Sequence, residues 1–347
     1  MNFGGNQADS EPLDETVNNK ERDIPSADMP TTGRSSIDSD SAFSFGAATE
    51  KFNGSEIMPT ELLRVREAYK IGERIAQRYE ILEQLGRGGF GTVFRARDHD
   101  LNRIVAIKQS TGLRSFVAGR VRDEAQAVAS LNHPGIVSIY DLITISNSEL
   151  LIVMECLEGQ TLASYLQSQP ISVMDAVELG IQIVEALKHA HEKKLVHSDL
   201  KPGNLFVTNS GLLKLLDFGL AVAYFPDQAN SSIGGTLGYM SPEQIRGESH
   251  RIDGRADIWA FGVIMYQMFT GTLPFKGSTK SVVIEATLRR EVPPFRQLNP
   301  KIDSELQRIV LRCLEKRMLD RYSNSAELQD DLRAWIEVSG QYFLLIS

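Results

Sequence analysis

Scarcity sets the first bounds on this chain. Only two of its 347 residues are cysteine, Cys156 and Cys313, and no CxxC or Cys/His spacing accompanies them. A disulfide scaffold and a zinc-ligand set are therefore not expected, and both thiols are expected to be free core groups in a reducing compartment. No uninterrupted apolar run reaches the roughly 18 residues of a membrane span, and no basic region followed by an apolar run opens the chain. The expectation is a soluble, intracellular, cytoplasmic protein without a membrane span. Positive charge is short as well: 37 Lys and Arg stand against 45 Asp and Glu, with a net charge of -8 and a pI near 5.4. No basic face interleaved with aromatics appears, so nucleic acid is not an expected partner.

What charge there is lies unevenly. Residues 1–56 hold eleven acidic and four basic side chains, which is most of the net charge, and they are rich in Ser, Asp, Asn and Gly without any sustained period. This composition predicts a disordered acidic segment. Residues 57–78 read as a lead-in, with Thr60 to Tyr69 as a possible short helix. From Tyr79 onward, Tyr79–Leu85, Thr92–Ala96 and Arg103–Lys108 read as an antiparallel meander of short strands. A helix containing Ala125, Val128, Ala129 and Leu131 follows, then strand candidates Ile136–Leu142 and Leu150–Glu155. Beyond Gly159 the apolar period becomes helical, with long segments at 173–192, 257–270 and 304–316. The whole is an α+β architecture: a small β-rich lobe at about 79–155, a larger α-rich lobe at about 158–335, and a tail at 336–347.

Three motifs bear chemistry. Gly86-Arg87-Gly88-Gly89-Phe90-Gly91 satisfies G-x-G-x-x-G, a pattern shared with dinucleotide-binding folds. Those folds need a helix starting at the glycines and an acid about 20 positions on. Here β-branched Thr92-Val93 continues as a strand and Lys108 stands near that distance, so a phosphate-covering hairpin fits better. No Walker A sequence ending in Gly-Lys-Ser/Thr is present, which disfavours a P-loop nucleotidase. Val105-Ala106-Ile107-Lys108 places one cation on an apolar strand. Finally, His197-Ser198-Asp199-Leu200-Lys201-Pro202-Gly203-Asn204 and the later Asp217-Phe218-Gly219 gather an acid, a lysine and two hard oxygen donors. Positioning a hydroxyl, holding magnesium and neutralising phosphate charge ask for that set.

In this order, the motifs resemble the protein kinase superfamily, and the stretch from Arg78-Tyr79-Glu80-Ile81 to Met240-Ser241-Pro242-Glu243-Gln244 looks most like its bacterial, eukaryotic-like serine/threonine members. The resemblance covers about residues 79–335 and implies a two-lobed kinase fold that binds ATP and Mg2+ between its lobes. It implies that Gly86, Gly88 and Gly91 approach the phosphates, that Lys108 holds them and that Glu124 clamps Lys108. Met154, Glu155 and Leu157 would border the adenine, with Val93, Ala106 and Phe206 as apolar walls. Asp199 would orient the acceptor hydroxyl, Lys201 would offset charge on the transferring group, and Asn204 and Asp217 would bind the metal. His197 would pack on Phe218 as a support, Glu243 would pair with Arg321, and Asp257 would tie down the catalytic-loop backbone. His133 reads as a turn residue.

The form Asp199-Leu200-Lys201-Pro202-Gly203-Asn204 resembles kinases of Ser and Thr hydroxyls on proteins. The expected activity is therefore ATP-dependent phosphorylation of protein Ser/Thr, with autophosphorylation; a catalytically weak nucleotide-binding scaffold (a pseudokinase) and a small-molecule kinase are the alternatives. One departure stands out. Ser198 occupies the place where most members have an arginine, and serine cannot pair with a phosphate on the activation segment. Constitutive activity, or control by another cation or a partner, is the expectation. Ser231, Ser232 and Thr236 are the hydroxyls of that segment, the first two as autophosphorylation candidates and Thr236 as a residue shaping the site.

Overall fold

The structure is a computed structural model that describes residues 69–88, 91–111, 122–123, 125–146, 149–218, 237–295 and 298–346. The acidic segment 1–56, the lead-in up to residue 68, Glu124 and the activation-segment hydroxyls Ser231, Ser232 and Thr236 lie outside the described residues.

A six-stranded sheet forms the first lobe. It contains β1 (Arg74–Ile75), β2 (Tyr79–Gly88), β3 (Gly91–Asp98), β4 (Arg103–Thr111), β5 (Ile139–Ser146) and β6 (Glu149–Glu155), in the order β1-β2-β3-β4-β6-β5, and every neighbouring pair is antiparallel. Strand alternation divides its faces. Phe94, Ala96, Val105, Ile107, Leu151 and Val153 enter one core with Tyr69, Ile75, Tyr79 and Ile81. The intervening residues Val93, Ala106, Lys108 and Met154 share the opposite face, because Val93 pairs with Lys108 and Ala106 with Met154. The lead-in is tied down where Tyr69 donates to the buried Glu149 carboxylate at 3.0 Å. Arg78 makes two hydrogen bonds to Asp98, at 2.7 and 2.8 Å, and these hold the Asp98 carboxyl down at about 2.

The first strand after the helical residues 125–129 begins at Ile139, not at Ile136 as predicted. Ile136 is buried and forms a parallel bridge with Leu215 of the second lobe, while the Val137 amide donates to the Leu215 carbonyl at 3.0 Å. Its hydrophobicity thus serves a contact between lobes rather than a ladder in the sheet.

The second lobe holds a small sheet, β7 (Gly159–Thr161), β8 (Leu205–Thr208) and β9 (Leu213–Leu215), with helices α1 (Leu162–Ser168), α2 (Val173–Glu192), α3 (Pro242–Ile245), α4 (Gly254–Thr270), α5 (Lys280–Arg289), α6 (Ser304–Cys313) and α7 (Ser325–Ile346). α2 starts at Ser172, whose hydroxyl accepts from the Asp175 amide, and matches the predicted 173–192. α4 begins three residues before the predicted 257, because the Asp253 carboxylate caps it by accepting from Arg255; it ends at Gly271, whose φ of 70° closes the helix left-handedly. Residues from Ala256 to Phe269 along α4 are almost all buried, so it is the central strut of the lobe. α7 runs unbroken across the boundary drawn between residues 335 and 336. Cys313 is a buried thiol as expected; Cys156 is only half-buried, because it lies in the interlobe linker outside either core. No described helix is long and apolar enough to cross a membrane.

Candidate active site

The glycine-rich pattern is a β-hairpin: Gly88 of β2 pairs with Gly91 of β3, and no helix starts there. Gly91 has φ of 128°, and a Cβ on it would lie 1.9 Å from the Gln109 carbonyl oxygen of β4. Glycine is required by backbone conformation and by the neighbouring strand together. A Cβ on Gly86 would touch nothing within 4 Å, so that side of the strand is open to an approaching group.

Lys108 is buried at 7% exposure, and its Nζ lies 2.7 Å from Asp217 Oδ1. The expected partner Glu124 is outside the described residues; the carboxylate that the structure sets against this lysine is Asp217. Asp217 itself has φ of 48°, an uncommon conformation for a residue with a side chain. Backbone bonds hold it close to the catalytic loop, since the Leu216 amide donates to the Asn204 carbonyl at 2.8 Å.

Asp199, Lys201 and Asn204 form one cluster. Lys201 Nζ lies 2.6 Å from Asp199 Oδ2, and Asn204 Nδ2 donates to the same oxygen at 3.0 Å and to the Asp199 carbonyl at 2.9 Å. With its NH2 group so committed, the Asn204 side chain keeps its oxygen as a candidate cation ligand, without a hydrogen-bond partner among the described residues. Asp199 Oδ1 keeps its lone pairs open among the described residues. Below, His197 donates from Nε2 to the Leu216 carbonyl at 2.8 Å, and its ring packs on Phe218 with centroids 4.7 Å apart, as predicted.

The loop backbone is held from underneath. Buried Asp257 accepts the His197 amide at Oδ2 and the Ser198 amide at Oδ1, both at 2.8 Å. Ser198 has φ of 62°, a left-handed conformation that costs on the order of 1 kcal/mol or more for a residue other than glycine. Gln244 secures its other side, donating to the Ser198 carbonyl at 2.7 Å. Gln244 was missed as a site residue, although Ser241-Pro242-Glu243-Gln244 has the S-x-x-Q pattern of a capping box and forms one. Arg321 makes two hydrogen bonds to Glu243, at 2.8 and 2.9 Å, and also donates to the Arg255 and Glu315 carbonyls. Burial alone would raise the Glu243 carboxyl, but the Arg321 hydrogen bonds and charge outweigh it and leave the group below its ordinary range.

Between the lobes, Ala106 pairs with Met154 and Val105 with Glu155, which brings the residues of the proposed adenine border to one strand end. Glu155 is fixed at both ends: its amide donates to Ser138, and its carboxylate accepts from Lys214 at 2.7 Å. Gly159 has φ of 145°, and a Cβ there would lie 3.1 Å from the Phe206 ring, so Phe206 abuts the chain just past the linker. Beside Lys201 opens a cavity of about 640 Å³, whose lining includes Leu166, Ile171, Pro202, Tyr239 and Gln267.

This fold, a lysine on a glycine-hairpin sheet paired with Asp217 beside an Asp-Lys-Asn cluster, is that of a protein kinase. Residues 79–332 match the family model described as protein kinase domain, and the chain belongs to that family. It is 36% identical over 270 residues to the serine/threonine-protein kinase PrkC of Bacillus subtilis, covering 76% of this chain and 41% of that protein. It is 37% identical over 276 residues to the serine/threonine-protein kinase PknB of Mycolicibacterium smegmatis, covering 75% and 43%. A probable serine/threonine-protein kinase PknB of Lactococcus lactis is 35% identical over 274 residues, covering 76% and 43%. The chain thus spans about two fifths of the length of the curated relatives it matches.

Proposed function

We propose that this chain is an ATP-dependent protein kinase that transfers the γ-phosphoryl group to Ser and Thr hydroxyls of proteins, its own included. The observation that carries the reading is the Asp199 cluster: one carboxylate oxygen is engaged by Lys201 and Asn204, and the other meets no hydrogen-bond partner among the described residues and can accept from an acceptor hydroxyl. Lys201, 2.6 Å away, supplies positive charge next to the point of transfer. Lys108 is the cation for the α- and β-phosphates beneath the glycine hairpin. The Glu155 amide is already bonded to Ser138, so contact of this residue with a base edge falls to its carbonyl, with the Leu157 backbone as the second contact.

Asn204 and Asp217 fit magnesium, since both offer hard oxygen and the hydrogen bonds of the Asn204 NH2 group to Asp199 leave its oxygen for a cation. Bound there, the ion would neutralise charge on the phosphates. Ser198 lacks the charge to bind a phosphorylated activation segment, but its backbone is clamped by Asp257 and Gln244 without one, which supports activity that does not wait for that phosphate. The cavity beside Lys201 has no carboxylate in its described lining, which favours acceptor segments with uncharged flanking residues over basic ones.

The test is incubation of the purified protein and its Asp199→Asn variant with ATP and magnesium, with phosphosites mapped by mass spectrometry. Phosphoserine or phosphothreonine in the parent alone is the expected result. ATP binding by both proteins with phosphate on neither would support the scaffold alternative and overturn the proposal.

A further inference from the structure

We propose that Ser325, the first residue of α7, is a positioning residue for phosphoryl transfer: its hydroxyl fixes His191, His191 fixes Asp257, and Asp257 holds the catalytic loop in the conformation that presents Asp199. The inference rests on the reading of Asp199 given above.

A serine at a helix start ordinarily caps the helix. Here Asn324 does so, its Oδ1 accepting the Ala326 and Glu327 amides at 2.9 and 3.0 Å. The Ser325 hydroxyl is left for another partner. It is 2% exposed and lies 2.9 Å from His191 Nδ1, 134 residues away in the chain. The other nitrogen of that ring, Nε2, is 2.8 Å from Asp257 Oδ2. A carboxylate only accepts, so Nε2 carries the proton; in the neutral ring Nδ1 then accepts, and the Ser325 hydroxyl is its donor. Asp257 thereby fixes the tautomer, and the serine hydroxyl, donating to Nδ1, holds the ring in the orientation that keeps Asp257 bonded. With the proton on Nδ1 instead, the Nε2 lone pair would face a buried carboxylate and the contact would turn repulsive.

Gly254 supplies an independent observation. A Cβ at that position would come within 2.7 Å of His191 Nδ1 and 2.8 Å of Cε1, so the ring lies flush against the first turn of α4, in a slot only a glycine leaves open. The ring is held by shape on one side and by hydrogen bonds at both nitrogens. Downstream, Asp257 carries the His197 and Ser198 amides, and Ser198 is the left-handed residue immediately before Asp199. A strained backbone persists only where its surroundings over-determine it. α7 is itself fastened to α2, because Gln329 donates to Glu185 at 3.1 Å and Arg333 pairs with the same carboxylate. The start of α7 is thus a fixed point from which the relay reaches the catalytic loop.

The experiment compares the parent with Ser325→Ala, Ser325→Thr and Ser323→Ala. Ser323 bonds to Glu327 at the same helix start without touching His191, so its variant controls for loosening of α7. Loss of one net hydrogen bond predicts about a fivefold fall in kcat for Ser325→Ala with KM for ATP unchanged, restoration by Ser325→Thr, and no change for Ser323→Ala. Nitrogen-15 spectra of labelled histidine and amide exchange at residues 197 and 198 read the relay without turnover. The expected signature is a hydrogen-bonded Nδ1 acceptor in the parent, with its nitrogen shift moved and amide exchange faster in Ser325→Ala. Equal kcat in Ser325→Ala and parent, equal loss in the alanine and threonine variants, or an unchanged Nδ1 shift and exchange rate would each overturn the proposal. A parent with no Asp199-dependent turnover but the expected spectra would instead overturn the reading of Asp199 and leave the structural relay standing.

Discussion

The Lys108–Asp217 and Arg321–Glu243 ion pairs combine the same kinds of group, yet they are opposite devices. The first joins the small lobe to the Asp217 turn by one 2.7 Å contact among the described residues, and the Asp217 side chain is one-third exposed. The second is bidentate, 0% and 2% exposed at its two side chains, and surrounded by backbone carbonyls that take the remaining guanidinium protons. A contact whose acid is partly wet is readily exchanged for a phosphate or a cation. A dry, fully bonded one is not, because parting it strands a buried charge. On the proposed function, the Lys108 half of the site is built to exchange partners, and the Arg321 half is built to stay.

The comparison can be broken most sharply by replacing one residue of each region. Lys108→Met is expected to cut phosphoryl transfer by about 10³-fold or more, the scale of a lost catalytic group, while the melting temperature moves only slightly. Arg321→Met is expected to do the reverse in kind: a loss of about 3 kcal/mol of stability, seen as a melting temperature lower by roughly 10 °C. Adding Glu243→Leu to Arg321→Met should recover much of that loss, since an apolar pair leaves no stranded charge. If Lys108→Met unfolded the protein or Arg321→Met left its melting unchanged, the division would fail.

Gly91→Ala sharpens the nucleotide side. The added methyl meets the Gln109 carbonyl in a strand already at positive φ, and the hairpin must shift. A rise of about tenfold in KM for ATP is expected, measured by steady-state kinetics, from strain on the order of 1–3 kcal/mol. The smallest effect concerns the seam between lobes. His133 stacks on His189 with centroids 5.2 Å apart, and burial, then the neighbouring His189, lowers its pKa below 6.5. The unfolded chain takes up this proton more readily than the folded one, so the stability contribution is full above about pH 6.5 and is lost as the pH falls through the folded value. Urea melts between pH 7.5 and 5 should show this slope, and His133→Asn should flatten it.

Much of this was legible in the order of residues. Alternation located the strands because each buries one face, and the clustering of Asp199, Lys201 and Asn204 was legible because they fall in one short contiguous run. Legibility fell where one residue serves a distant partner. Ile136 reads as strand but bridges to Leu215, and the contact of Lys108 with Asp217, 109 positions on, left no local signal. Gln244 was visible as a helix cap but not as the group that holds Ser198. The His191 and Ser325 contact left no local signal at all, since a helix-end histidine and a helix-start serine are both ordinary.

The most direct test is hydrogen exchange, resolved to single amides, with and without ATP and magnesium. The account expects the His197 and Ser198 amides, bound to buried Asp257, to be strongly protected and unchanged by nucleotide, while amides of the glycine hairpin exchange fast and become protected when nucleotide binds. Loop amides that gain their protection only with nucleotide, beside a hairpin that is protected throughout, would contradict it.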